Sequence, residues 1–317
     1  MKLKKEAILS ILKTCMGLKD KERLLTVNDK NREGIANSIL EEAKKITKHA
    51  RKIKTKVAKV NGEEPYKKVS KEMKRCDVLL LVTTRSLSHT EARRKACKKG
   101  VRAASMPQIT TDMLNRAQTA DYIRIKAVNK KLSERLRNAK RLRIKTKKGT
   151  DLIVFTQKLF IDSGLYHRKG SFGNLPAGEV GFAPVENQTK GRLVIDKSIA
   201  GIGKLDNPIK LKIDKGYVKE IKGGKEAYKL LRLLEDFKAK AVYNIAEFAF
   251  GTNYKARIKG IPLEDEKVFG TVHVALGDNT SYPGGKTKAP VHMDCIISKP
   301  TVYADGKRIM DRGKLLV

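Results

Sequence analysis

The sequence predicts an α/β N-terminal domain with a mostly parallel sheet, followed by an α+β C-terminal domain with a largely antiparallel sheet. Three observations carry that prediction. Residues 1–135 alternate short apolar runs with stretches of helical periodicity, the pattern of βα units. One of those runs, VLLLVTT at 78–84, is apolar without alternation, as a parallel strand covered on both faces must be. Beyond residue 140 the period changes to two, broken by turn residues. At 317 residues the chain exceeds what one hydrophobic core usually serves, so two domains are expected, 1–138 and 139–317.

Taken in order, the N-terminus has a basic start and an apolar centre. Ala7, Ile8, Ile11, Leu12 and Cys15 fall at helical spacing with Glu6 and Lys13 between them, so an amphipathic helix is expected rather than a signal peptide. RLLTVND (23–29) reads as a strand, and NREGIANSILEEAKKITKHARK as a helix with Ile35, Ile39 and Ala43 on one face. KTKVAKV (54–60) is the next expected strand, and VSKEMKRC a short helix. After the strand at 78–84, Ser88 and Glu91 have the spacing of a capping box opening the helix HTEARRKACKKG. VRAASMP and TTDMLNRA complete the alternation, and KLSERLRNAK (131–140) is a basic helical bridge. In the second half, RLRIKTKKGTDLIVFTQ and PIKLKIDKGYVKEIKGG read as strand pairs about glycine-containing turns. EAYKLLRLLEDFKAKA is a helix offering Tyr228, Leu231, Leu234 and Phe237 for packing, and VYNIAEFAFGTN, FGTVHVALG, VHMDCIIS and TVYADGKRIM supply more strands.

Charge is the strongest compositional signal. Residues 1–150 hold 42 Lys and Arg against 15 Asp and Glu, most of the net +36. Such a field attracts anions. Yet aromatic content is 5% with no Trp, and no tract interleaves basic residues with stacking rings. Most lysines lie on the polar sides of expected helices, so a basic solvated surface is the preferred reading and any nucleic-acid binding is expected to be non-specific. No apolar run of about 18 residues suggests a membrane span. Cys15, Cys76, Cys97 and Cys295 lack C-x-x-C spacing, which suits a reducing cytoplasm and argues against a zinc ribbon. Neither G-x-G-x-x-G nor G-x-x-x-x-G-K-[ST] occurs, so a dinucleotide or P-loop site is not expected. Functional groups of the first domain should lie where its strands end, at Thr83, Thr84, Arg85 and the Ser86–His89 loop.

The densest chemistry lies between Glu264 and Gly306. His273 sits in FGTVHVALG, on one strand face with Thr271 and Ala275, while His292 and Asp294 leave a single face of VHMDCII. Two core histidines and a solvated aspartate would be the bland explanation. Asp294 lies in an apolar segment, where an unpaired carboxylate costs several kcal/mol, and a bound cation removes that cost. Glu247, in NIAEFAFG, meets the same argument. Glu179 lies in a Gly- and Pro-rich segment able to wrap closely around a ligand. Together Glu179, Glu247, His273, His292 and Asp294 offer enough oxygen and imidazole donors for two divalent ions bridged by a carboxylate.

GNLPAGEV, AEFAFGTN, LEDEKVFGTVHVALGD and VHMD, in this order, resemble the aminopeptidase T family of metallo-aminopeptidases, in particular its shorter archaeal leucyl aminopeptidase-like branch. The resemblance runs nearly end to end. It implies a homodimeric peptidase with two ions of zinc, cobalt or magnesium, liganded by Glu179, Glu247, His273, His292 and Asp294. Two features depart from the pattern: the segment from His273 to His292 is short, and Thr280 stands where a tyrosine is expected, with Tyr282 two residues on. A related branch of ring-cleaving dihydroxypyridine dioxygenases looks similar around His273, His292 and Asp294 but uses a single iron. The expected function is therefore removal of N-terminal residues from peptides by a metal-activated water, with Glu247 bridging the ions and Glu266 as general base. The alternatives are a mononuclear Fe(II) ring-cleaving dioxygenase and a basic nucleic-acid-binding protein with a structural metal.

Overall fold

The structure is a computed structural model and describes residues 2–316. The chain divides into two compact units, Met1–Ile123 with Asp162–Ala177, and Arg124–Ile161 with Gly178–Val317.

In the first unit five strands pair in parallel, in the spatial order Ala50–Lys54, Leu24–Asn28, Val78–Val82, Arg102–Ser105 and Phe172–Asn174. Leu24–Asn28 and Val78–Val82 are buried at every position, which is why their sequences run apolar without alternation. Leu25, Val27, Leu79 and Leu81 pack on Val69, Met73, Ala92 and Ala96 from the covering helices. The N-terminal segment is helical as expected, Lys5–Leu9 running into a wider π-helical turn Ser10–Cys15, and all five of its apolar positions are buried.

Three expectations fail here. The helix Glu33–Lys44 stops well before residue 52, and the strand is Ala50–Lys54 rather than 54–60. Thr47 is the cause: its hydroxyl donates to Glu22 O at 2.9 Å and accepts from His49 N at 3.1 Å, pinning a turn that sends the chain back along Leu24–Asn28. The helix Glu91–Lys98 is capped by Thr90, whose side chain accepts from Arg93 N, while Ser88 bonds Ser86.

The second unit holds two antiparallel sheets sharing one core. The eight-stranded sheet includes Arg141–Lys145, Asp151–Phe155 and Thr301–Ala304, and its inner side chains Leu142, Ile144, Leu152, Val154 and Val302 join those of the seven-stranded sheet. Alternation in RLRIK puts Leu142 and Ile144 inward and Arg141, Arg143 and Lys145 outward. The helix Lys225–Asp236 buries Ala227, Leu230 and Leu234. Of the expected face Leu234 is buried, but Ala227 and Leu230 complete the stripe in place of Tyr228, which is 65% exposed, and Leu231. Among the described residues no helix is long and apolar enough to cross a membrane.

Candidate metal centre

Pleating brings the five sequence-selected side chains together. In the seven-stranded sheet Glu179–Phe182, Ile245–Gly251, Thr271–Gly277 and His292–Ser298 lie side by side and antiparallel. Glu247 opposes Ala275, which opposes Asp294, and Ala249 stands between His273 and Gly181. At period two, Glu179, Glu247, His273, His292 and Asp294 therefore leave one face of the sheet. Val180, Phe182, Phe248, Phe250, Val272, Val274, Leu276, Met293, Cys295 and Ile297 leave the other, into the core. Among the polar groups stand the small residues Gly181, Ala249, Gly251, Ala275 and Gly277, with Ile296 beside His273, so much of the floor of the site is low. A Cβ on Gly181 would lie 2.4 Å from that of Ala249, so no larger residue fits there.

The donors form two groups that share Glu247: Glu179, Glu247 and His273 in one, Glu247, His292 and Asp294 in the other, each with its ligand atoms within 4.8 Å of one another. His273 Nε2 lies 3.2 Å from Glu247 Oε1 and 3.7 Å from Glu179 Oε2. His292 Nε2 lies 3.0 Å from Glu247 Oε2 and 3.3 Å from Asp294 Oδ1. His292 Nδ1 faces the Asp278 carbonyl at 2.7 Å; donating its proton there leaves Nε2 as the electron-pair donor of the neutral ring. Glu247 Oε2 and Asp294 Oδ1 are buried without an aligned hydrogen-bond partner. Interior carboxylate oxygens are rarely left so, and a cation shared by these groups would satisfy both. The donor set, imidazole nitrogen with carboxylate oxygen, fits a divalent transition metal.

With no cation the groups balance one another through protons. Burial alone would raise the Glu247 carboxyl, but the His273 and His292 imidazoles beside it outweigh that and bring it down to about 2. Burial likewise works against protonation of His273, yet Glu247, by hydrogen bond and by charge, lifts it to about 9. His292 is pushed up against the same burial, chiefly by Asp294, and Asp294 is held below the carboxylate range, chiefly by His292. Glu266 behaves oppositely. Burial pushes its carboxyl well above the usual range, with Asp294 and Glu179 adding to the effect against the opposing charge of Lys267.

Three neighbours complete the centre. Lys267, 1% exposed, places Nζ 2.6 Å from Glu179 Oε1 and 2.7 Å from Glu266 Oε1. Tyr282 brings its hydroxyl 3.4 Å from His292 Nε2 and packs on Phe160 at 4.7 Å between ring centroids. Asn129 donates to the Glu179 carbonyl at 3.2 Å and accepts from the Thr252 hydroxyl at 2.6 Å. Of these, sequence reasoning singled out Tyr282 and gave no role in the site to Lys267 or to Asn129, which no local signal marks. In the first unit Thr84 donates to Asp29 through both its amide and its hydroxyl. That strand-end loop is thus tied to its own fold.

A sequence profile described as "NicX: 2,5-dihydroxypyridine 5,6-dioxygenase" matches residues 33–317. The 2,5-dihydroxypyridine 5,6-dioxygenase of Pseudomonas putida is 26% identical over 259 residues, covering 75% of this chain and 71% of that protein. Among solved structures, the 2,5-dihydroxypyridine dioxygenase of Pseudomonas putida KT2440 superposes with a TM-score of 0.86 at 18% identity, over 98% of this chain and 96% of that one. Wild-type AmpT of Thermus thermophilus superposes with a TM-score of 0.70 at 17% identity, over 99% and 98%.

Proposed function

The chain belongs to the NicX family of 2,5-dihydroxypyridine 5,6-dioxygenases, and from that premise we propose that it is a ring-cleaving dioxygenase acting on an electron-rich hydroxylated pyridine, with 2,5-dihydroxypyridine the first candidate. The observation that carries the reading is that the matched segment, residues 33–317, contains every side chain of the buried centre. The family match overturns the aminopeptidase expectation, and with it hydrolase activity and a peptide substrate. The donors misled because a carboxylate-rich pair of imidazoles serves hydrolytic and oxygen-using metals alike.

On this reading His273, His292 and Asp294, with Glu247 beside them, would hold one Fe(II). An Fe(II) ion held there would bring dioxygen and a deprotonated ring hydroxyl into electronic contact, so that the ring supplies the electrons and both oxygen atoms enter the product. The chain's own residues do the rest. The low floor of Gly181, Ala249, Ala275 and Gly277 accepts a planar ring against the sheet. Tyr282, kept protonated by burial and braced by Phe160, donates to a ring oxygen and sets the ring's orientation. Glu266, buried 2.7 Å from Lys267 Nζ, holds that ammonium against Glu179 and so fixes the edge of the centre. Burial of the whole cluster excludes water from the open ring.

The test is oxygen uptake by protein loaded anaerobically with Fe(II) and mixed with 2,5-dihydroxypyridine in air-saturated buffer. One oxygen consumed per ring, with loss of the aromatic absorbance, is expected. No uptake from a fully iron-loaded protein would refute the reading.

A further inference from the structure

We propose that the Lys267 ammonium takes the place of a second metal ion and so fixes this donor set at one ion. The inference rests on the metal-centre reading above and sharpens it. Two donor groups sharing a carboxylate are the arrangement from which two-ion sites are built. Here the groups are unequal. In one, Glu247 Oε2 and Asp294 Oδ1 have no aligned partner, and His292 turns Nε2 toward them because Nδ1 faces the Asp278 carbonyl. In the other, Glu179 Oε1 already lies 2.6 Å from a cation, the Lys267 ammonium, which also lies 2.7 Å from Glu266 Oε1.

Lys267 is 1% exposed, so solvent does little to screen its charge. A second divalent ion in this group would have to share Glu179 with the Lys267 ammonium, one buried cation crowding another on the same carboxylate. Interiors tolerate buried charge only when it is matched. The bland explanation, a structural ion pair, accounts for the short distances equally well, and it predicts that removing the ammonium destabilises the fold without changing how many ions bind.

Metal counting separates the two. Full-length protein is stripped, loaded with excess Mn(II), freed of unbound metal and analysed for manganese per chain, with electron paramagnetic resonance reporting isolated or coupled ions. Wild type is expected to bind one isolated ion, Lys267→Met two coupled ions, and Lys267→Arg one. Two ions in the wild type would overturn the proposal, as would a single ion in a Lys267→Met protein whose circular dichroism is native. Lys267→Gln carries the comparison if the Met variant does not fold, and the wild-type count tests the proposal by itself. Oxygen uptake is scored separately: two ions with normal uptake counts against the role of Lys267 alone, and one ion with no uptake counts against the dioxygenase alone.

Discussion

At the residue level the centre makes a signed prediction about pH. His273 in the metal-free protein is raised to about 9, above the roughly 6.5 of an unfolded imidazole, so its pairing stabilises the fold fully below that value and is lost as pH climbs to 9. Glu247 is lowered to about 2, so its share is present above roughly 4.3 and lost as pH falls toward 2. A metal must displace the imidazole protons, so its affinity moves the other way and rises with pH over the same upper range. Thermal melts of metal-free protein from pH 6 to 9.5 should show a falling midpoint, and melts with Mn(II) a growing metal-dependent gain. A metal-free protein more stable at pH 9 than at 6.5 would contradict the pairing. His292→Ala or Asp294→Ala should weaken metal binding at least about a hundredfold, measured by competition with a chelating dye. These residues were legible in the sequence because each is a charged or imidazole side chain set in an apolar run. Lys267 was not, because EDEK reads as an exposed charge cluster. In fact Glu264 accepts from Arg257 N, Asp265 accepts from Lys259 N and Gly260 N, and all four residues of the cluster are buried.

At the level of the strand, HVALG carries two programmes at once. His273, Ala275 and Gly277 face the centre while Val274 and Leu276 face the core, so neighbouring substitutions should have separable effects. Ala275→Val raises the floor between Glu247 and Asp294 and is expected to abolish metal binding while leaving the melting midpoint of the metal-free protein within a few degrees. Leu276→Ala empties part of the core and should cost about 2–5 kcal/mol by urea unfolding, with metal stoichiometry retained. Loss of metal in the second variant and not the first would reverse the assignment of faces. Period-two alternation made these strands readable from sequence. The segment around residues 45–60 was not, because what ends its helix is Thr47 reaching a carbonyl 25 residues away, and the face of Lys225–Asp236 was read correctly only at Leu234, because its leucines and aromatics permit two overlapping stripes.

Across the whole molecule the sequence revealed the order of a parallel sheet before antiparallel ones, and a buried cluster of carboxylates and imidazoles, but not which reaction the cluster serves. Charge was equally plain, and its placement was not. Arg141, Arg143 and Lys145 stand on the outer face of the eight-stranded sheet and line a groove of about 250 Å³ with Ile153 and Tyr303. Binding of single-stranded RNA, followed by fluorescence anisotropy, should weaken by at least tenfold between 50 and about 200 mM salt and show no preference among sequences, as phosphate contacts alone require. Retained, sequence-selective binding at the higher salt would show a specific partner. The last strand of the parallel sheet, Phe172–Asn174, enters from far along the chain, after Arg141–Lys145 and Asp151–Phe155 of another sheet have been made. A nascent chain therefore carries Arg102–Ser105 as an open edge until more than sixty further residues have been synthesised. A recombinant fragment ending at residue 138 should emerge with that edge permanently bare and precipitate, and adding residues 162–177 as a separate peptide should rescue its solubility.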